Sequence, residues 1–153
     1  MNATIRAVEY FYLVVQDRPG EAYRLLSQLA AAEVSLLAFN AIPMGDNRTQ
    51  LVLFPENSTG LAVAVEKTGL ALTGPDRAFI VQGDDHLGAL VDFHFKLQAA
   101  HVNVYASSGV TDGRGGFGYI MYVRPDDYHH AANVLGVDAR DVTVGSPARR
   151  TTE

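Results

Sequence analysis

The two halves of this 153-residue chain repeat one pattern of strand and helix signals at a constant offset. Gly20 matches Gly88 and Val34 matches Val102, a difference of 68 positions in both cases and without a gap. Further matches at this offset are Phe11 with Phe79, Asp17 with Asp85, Leu29 with Leu97, Ala32 with Ala100 and Val52 with Ile120. Because self-similarity at a fixed period usually marks a duplicated unit, we predict two copies of one supersecondary unit. The alternative is one α/β domain with fortuitous spacing.

The order of signals within each half is βαββαβ. The predicted strands cover residues 10–15, 34–39, 50–54 and 70–72 in the first half, and 77–82, 102–106, 119–123 and 142–144 in the second. The predicted helices cover residues 20–32 and 58–69, then a segment opening at residue 88 and residues 125–135. This order suits an α+β fold of two ferredoxin-like units, each an antiparallel four-stranded sheet with both helices on one face.

Apolar residues at three- and four-residue spacings predict the inner faces of the two leading helices. They are Ala22, Leu25, Leu26, Leu29 and Ala32 in the first half, and Leu87, Leu90, Val91, Phe93 or His94, and Leu97 in the second. The turn residues 74–76 mark a boundary. We therefore expect one unit at residues 1–75, a second at 76–145, and a flexible tail at 146–153.

Composition and charge exclude several classes of protein. The formal charge of −5 argues against binding to nucleic acid and to anionic membranes. There is no cysteine, which excludes disulfides and thiolate metal sites. No apolar run reaches the ~18 residues of a membrane span, and the N-terminus lacks a signal-peptide pattern. We expect a cytoplasmic protein.

The first passage from strand to helix, at residues 14–22, has the features of an anion-binding helix start. We expect Pro19 at the first helical position, where its missing N–H costs nothing. Gly20 leaves backbone N–H groups uncovered there, and these attract small anions such as carboxylates. Asp17 either caps the helix or contacts a ligand.

The segment Asp17-Arg18-Pro19-Gly20, followed by a helix of about four turns and by a strand at residues 33–37, resembles the ACT domain. In the second half, residues 85–88 and then Asn103 in the following strand repeat the motif without its proline. The resemblance covers residues 8–145 as two copies. It implies a regulatory fold that binds small molecules, most often amino acids, at the seam between paired units.

The resemblance also implies which residues contact the ligand. They are Asp17, Arg18, Pro19, Gly20 and Ser35 in the first unit, and Asp85, His86, Leu87, Gly88 and Asn103 in the second. Ser35 stands where the family has asparagine. Free N–H groups suit an amino acid's carboxylate, and a carboxylate or amide side chain suits its ammonium group. Replacing Asp85 or Asn103 with alanine should abolish the stabilisation that the ligand gives.

We expect no catalysis, no cofactor and no metal. Histidines 129 and 130 are adjacent, so they point in different directions on a helix. Residues 113–116 lack the Lys-Ser/Thr of a phosphate loop, and we interpret them as a hairpin loop. One alternative is a two-unit α+β barrel enzyme that uses Tyr12, Tyr105, Tyr119 or a histidine. The other is an RNA-binding split-βαβ domain, which the charge disfavours.

We also expect a homodimer that acts on an unidentified regulated partner. Each predicted sheet has one face without helices, and Phe39, Tyr105, Tyr119 and Met121 are candidates for apolar surface there.

Overall fold

A computed structural model of the protein describes residues 3–138. The strands are β1 Ala3–Gln16, β2 Leu36–Gly45, β3 Arg48–Pro55, β4 Thr73–Asp84, β5 Val104–Thr111 and β6 Gly116–Val123. The helices are α1 Glu21–Ala31, α2 Ser58–Thr68, α3 Val91–Ala99 and α4 Tyr128–Leu135, with a 3₁₀ turn at Pro125–Asp127. The predicted strand at 142–144 and the predicted tail at 146–153 lie outside the described residues. Within the described chain, no helix is long and apolar enough to cross a membrane.

Residues 9–76 form one compact unit. Its strands follow the order β2-β3-β1-β4, and β3 pairs antiparallel with both of its neighbours. Leu53 lies opposite Phe11 of β1 and Phe39 of β2. The core joins β3 to the helices α1 and α2 through Leu25, Leu29, Leu51, Leu53 and Leu61.

Residues 3–8 and 77–138 form the other compact unit. Its strands follow the order β1-β4-β6-β5, and β6 pairs antiparallel with β4 and β5. The core contains Ala7, Phe79, Val81, Leu97, Val102, Tyr119, Met121, Val123, Tyr128, Ala131 and Ala132. The rings of Phe79 and Tyr128 stack at 5.2 Å, and the Arg77 guanidinium lies 5.1 Å from the Tyr128 ring centroid. Whether residues 1–75 and 76–145 fold as separate domains stays a prediction.

The backbone repeats itself at the offset of 68 in fine detail. The N–H of Val34 donates to the carbonyl of Leu29 at 2.9 Å, and the equivalent N–H of Val102 donates to Leu97 at 2.8 Å. Glu33 and His101, which precede these two valines, both have φ of 59°. Such left-handed conformations are uncommon outside glycine, so their coincidence supports duplication more strongly than the few identities do. The prediction of two ferredoxin-like βαββαβ units is confirmed.

The fourth predicted strand was wrong. Residues 70–72 are not extended in the sheet, and Leu70 and Leu72 instead pack against the core of residues 9–76 from a connecting segment. β4 begins at Thr73 and continues without a break through Gly74 and Pro75. Residues 73–76 occupy the outer position in the strand order of their unit, where a proline removes no hydrogen bond that the sheet needs.

Both leading helices begin later than predicted. The N-cap of α1 is Gly20, so Pro19 lies in the preceding turn and not at the first helical position. Leu26 is exposed because its neighbour Leu25 takes the inward position with Leu29. On α3 only Leu97 is fully buried, with Leu90 and Phe93 partly buried against the same core.

Helix α2 has a side-chain cap. Asn57 is the N-cap, and its side chain accepts a hydrogen bond from the N–H of Gly60 at 3.1 Å. Gly69 ends this helix in the left-handed conformation, as expected.

Two of the residues expected on the helix-free face are core residues. Tyr119 and Met121 are 5% and 0% exposed, because their positions on β6 face the helices. Tyr105 remains exposed, and Phe39 is partly buried.

Candidate functional site

An open cleft of about 490 Å³ lies where the chain turns from β4 into α3. One wall is the turn and the start of the helix, and the other is the hairpin of β5 and β6. The lining residues are Asp85, His86, Gly88, Ala89, Leu90 and Val91 on the first wall, and Gly109, Val110, Thr111, Phe117, Gly118 and Tyr119 on the second. Every one of them belongs to the unit of residues 3–8 and 77–138.

The start of α3 has no side-chain cap, and two backbone N–H groups at the turn before it are bonded within the turn. The N–H of Ala89 donates to the carbonyl of His86 at 3.1 Å, and that of Val91 to Gly88 at 3.0 Å. Gly88 has φ of 77°, a conformation that suits glycine. The N-cap is Leu90, which has no side-chain acceptor, so no side chain caps α3. The first N–H groups of a helix have no partner within it, and they carry the positive end of its dipole.

Tyr119 is held in place on the opposite wall. Its hydroxyl shares a hydrogen bond of 2.6 Å with Nε2 of His94, and the tautomer of the imidazole decides which group donates. The Tyr119 ring lies against Gly109, where a Cβ atom would come within 3.0 Å of Cδ2. A glycine at 109 therefore lets the ring occupy this position, and His94 fixes its hydroxyl.

The cleft combines apolar walls with a few polar groups. Leu90 and Phe117 are partly buried apolar residues. Asp85 also lines the cleft, and its N–H donates to the carbonyl of Gly115 at 2.7 Å, which anchors the turn to the hairpin loop. Nδ1 of His86 lies 3.1 Å from the carbonyl oxygen of Leu87. Apolar walls with a small number of placed polar groups are typical of small-molecule sites.

The structure brings together three of the five residues predicted in the second unit. Asp85, His86 and Gly88 line the cleft, whereas Leu87 is fully exposed and does not. Asn103 lines a separate depression of about 410 Å³, together with His94, Leu97, Gln98, His101, Val102 and Val104. The site assignment from sequence stays a prediction, but these residues do not share one cavity.

The residues predicted in the first unit lie at the start of α1. Asp17, Arg18, Pro19 and Gly20 form its exposed leading turn, and Ser35 is exposed just before β2. The Arg18 guanidinium forms an ion pair with the Glu21 carboxylate. The N–H of Asp17 donates to the carbonyl of Asn47 at 2.7 Å, the counterpart of the bond between Asp85 and Gly115.

The structure excludes the capping role that was considered for these aspartates, whereas ligand contact stays a prediction. No side chain caps α1 or α3, so neither Asp17 nor Asp85 is a helix cap. Instead, the backbone N–H of each aspartate donates a hydrogen bond to a hairpin loop, and the side chain is not used as a helix cap.

Sequence reasoning missed the hairpin wall of the cleft. Gly109 and Thr111 of β5 and Phe117 and Gly118 of β6 carry no motif. The sequence offered one signal. Because β4 and β6 match β1 and β3 at the offset of 68, the predicted hairpin of residues 102–123 must lie beside the strand that leads into Gly88. The same offset could not say which hairpin residues reach the turn.

The described residues contain no group of three or more histidine, aspartate and glutamate side chains that could hold a metal ion. Of the tyrosines considered for catalysis, Tyr119 lines the cleft, Tyr12 lies in β1 opposite Val52, and Tyr105 packs near Tyr122 with ring centroids 6.3 Å apart.

Known structures share this architecture. No protein-family model and no curated protein sequence matches the chain. Protein BT0572 from Bacteroides thetaiotaomicron superposes with a TM-score of 0.68 at 13% identity, over 86% of this chain and 88% of that one. The ligand-free regulatory subunit of aspartate kinase from Thermus thermophilus gives 0.58 at 10% identity, over 89% and 96%. The aspartokinase alpha and beta subunits give 0.57 at 16% identity, over 88% and 95%. The chain therefore has the tandem ACT-domain fold that its sequence predicted.

Proposed function

We propose that this chain is a regulatory module that binds a small molecule, an amino acid, in the cleft before α3, without catalysis of its own. The observation that supports it most is the position of the cleft at a helix start that no side chain caps. Its volume of about 490 Å³ lies within the usual range of small-molecule sites, ~300–1,000 Å³.

Each part of an amino acid has a partner in the cleft. The carboxylate binds the N–H groups of the first turn of α3 that follow Val91, where the helix dipole also favours a negative charge. The ammonium group pairs with the Asp85 carboxylate in a charge-assisted hydrogen bond. The side chain contacts Leu90, Phe117 and the ring of Tyr119.

The shared fold supports a regulatory role. Two of the matching chains are regulatory subunits of aspartate kinase, from Thermus flavus and Thermus thermophilus, and the match covers 94% and 96% of their length. We propose that ligand binding changes the association of this chain with itself or with a regulated enzyme in the cytoplasm. The start of α1 at Gly20 is proposed as a second site, which the Arg18–Glu21 ion pair and Ser35 make different from the first.

A thermal-shift screen against the twenty amino acids tests the proposal. A ligand present at a hundred times its dissociation constant adds about 2.7 kcal/mol to the stability of the native state. For a protein of this size that raises the unfolding midpoint by about 5–11 °C. No shift with any amino acid at millimolar concentration would contradict the ligand class.

Two matched pairs of variants locate the site. Thr111→Phe places a ring on the face of β5 that carries Gly109 and lines the cleft, and it should abolish the response. Ser108→Phe adds the same ring to the opposite face of β5 and should leave the response intact. Asp85→Asn should weaken binding in the cleft, whereas Asp17→Asn should weaken binding only at the second proposed site, at the start of α1. A lost response in Asn103→Ala, with Thr111→Phe responding normally, would move the site to the depression that contains Asn103.

The hydrogen bond between Tyr119 and His94 keeps one alternative open, an enzyme that uses this pair as an acid or base. NMR spectra of the ligand recorded with the protein over hours separate the two functions. Unchanged ligand supports a sensor, and conversion that Tyr119→Phe abolishes would establish the enzyme instead.

A further inference from the structure

Helix α3 carries a stripe of exposed apolar side chains, defined by Leu87, Val91 and Phe95. Leu87, in the turn before the helix, is fully exposed, and Val91 and Phe95 are 63% and 66% exposed. Val91 and Phe95 are four residues apart and therefore lie on one face of the helix. At 100° per residue this face is opposite the one that carries Phe93 and Leu97 into the core.

The fold itself does not require this stripe. The leading helix of the other unit has Pro19, Tyr23 and Ser27 at the three equivalent positions, 68 residues earlier. Only Tyr23 among them is large and apolar. Two copies of one architecture therefore differ here, and the α3 surface carries apolar area that the packing of its own unit does not use.

Two charges flank one side of the stripe. Asp92 and Lys96 each follow a stripe residue by one position, and neither forms an ion pair with any residue in the part of the chain that the structure describes. The other flank carries His94 and Gln98. The two flanks therefore differ. One carries a negative charge followed by a positive charge along the helix, and the other carries no carboxylate.

We propose that the stripe docks against the same stripe of a second copy of this chain, with the two α3 helices antiparallel about a twofold axis. In an antiparallel pair related by such an axis, the flank that carries Asp92 and Lys96 faces the same flank of the partner copy. The residues of the two flanks run in opposite directions. Asp92 of one copy then meets Lys96 of its partner, and this happens twice. A parallel pairing would face the charged flank with His94 and Gln98 and leave both charges unmatched.

The stripe supplies the apolar centre of this interface, and the two ion pairs at its rim set the orientation. Of the stripe residues, Val91 also lines the proposed ligand cleft, whereas Leu87 and Phe95 do not. Phe95 does not line the cleft, so a change there tests the interface without touching the binding site.

Sedimentation equilibrium of the ligand-free full chain gives the first test. A dimer of two 16.5-kDa chains is expected at micromolar concentration. Phe95→Ser, which installs the residue of the equivalent position 27, should raise the dissociation constant by at least about tenfold. Tyr23→Ser on α1 is the matched control and should change it by less than about twofold. Circular dichroism confirms that each variant is folded.

A charge-exchange experiment tests the orientation. Asp92→Lys gives a flank with two positive charges, and Lys96→Asp gives one with two negative charges, so each variant alone should dimerise more weakly than the parent. Mixing the two variants should restore dimers, because each positive flank then meets a negative one. A chain that is monomeric throughout, a dimer that Phe95→Ser leaves unchanged, or a mixture no stronger than its components would overturn the proposal.

Discussion

The burial of Leu97 predicts how strongly α3 is attached to its sheet. This side chain is 1% exposed and packs in the core that also contains Phe79, Val102 and Tyr119. Leu97→Ala removes three carbon atoms and leaves a cavity that a close-packed core fills only in part. We expect a loss of about 3–5 kcal/mol in the free energy of unfolding. That is a large fraction of the ~5–15 kcal/mol that a domain of ordinary stability has.

Urea unfolding followed by far-UV circular dichroism measures this loss. With an m-value of about 2 kcal/mol/M, the midpoint should fall by about 1.5–2.5 M. Leu29→Ala is the matched variant at the equivalent position of the other unit, where the side chain is 2% exposed, and it should cost a similar amount. Leu87→Ala, at a fully exposed site, should stay within about 0.5 kcal/mol of the parent. A loss below about 1 kcal/mol for Leu97→Ala would refute the close packing of α3.

Two further predictions concern backbone strain and pH. Gly74 has φ of 136°, and a Cβ there would lie 2.8 Å from the carbonyl oxygen of Tyr10. Gly74→Ala should therefore lower the free energy of unfolding by at least about 2 kcal/mol. A thermal midpoint equal to that of the parent would contradict this. Hydrogen bonds from the N–H groups of Arg114 and Gly116 lower the pKa of Asp112 below its ordinary 3.8. The ionised carboxylate therefore stabilises the fold above that pH and loses its effect as the pH falls through the lowered pKa. The stability difference between the parent and Asp112→Ala should shrink below pH 3.8. A difference that stays constant from pH 6 to pH 2.5 would show that the charge of the Asp112 carboxylate does not stabilise the fold.

The architecture could be predicted because the helix and strand signals coincide at one offset in both halves. Leu29 and Leu97 are both buried, and the strand pairs Phe11–Leu53 and Phe79–Met121 are equivalent at 68 residues. Few other chain topologies are compatible with a βαββαβ order that occurs twice. The resemblance to tandem ACT domains is accordingly confirmed at the level of the fold.

Local boundaries were harder to predict, because neighbouring apolar residues satisfy more than one helical face. Leu25 and Leu26 are equally apolar, and only the position of the helix over β3 selects Leu25. Likewise Pro19 is as compatible with a turn before the N-cap as with the first helical position. Sequence patterns do not distinguish these options, because tertiary packing decides them.

The candidate site was predictable on one wall only. Motif reasoning identified Asp85, His86 and Gly88, which are local in sequence. Thr111 and Tyr119 reach the same cleft through the register of β5 and β6, which includes a shift between Val104 and Ala106 that the sequence does not mark.

Strand β1 belongs to both compact units, and this has a consequence for how the gene can be divided. Residues 3–8 supply the strand beside β4 in the downstream unit, and Ala7 is completely buried in that unit's core. A fragment that starts at Arg77 would therefore keep the cleft but present a bare strand edge, which invites association with other chains. Conversely, a deletion of residues 3–8 damages the unit formed mainly by residues 77–138, so a fusion partner is better attached with residues 3–8 left intact.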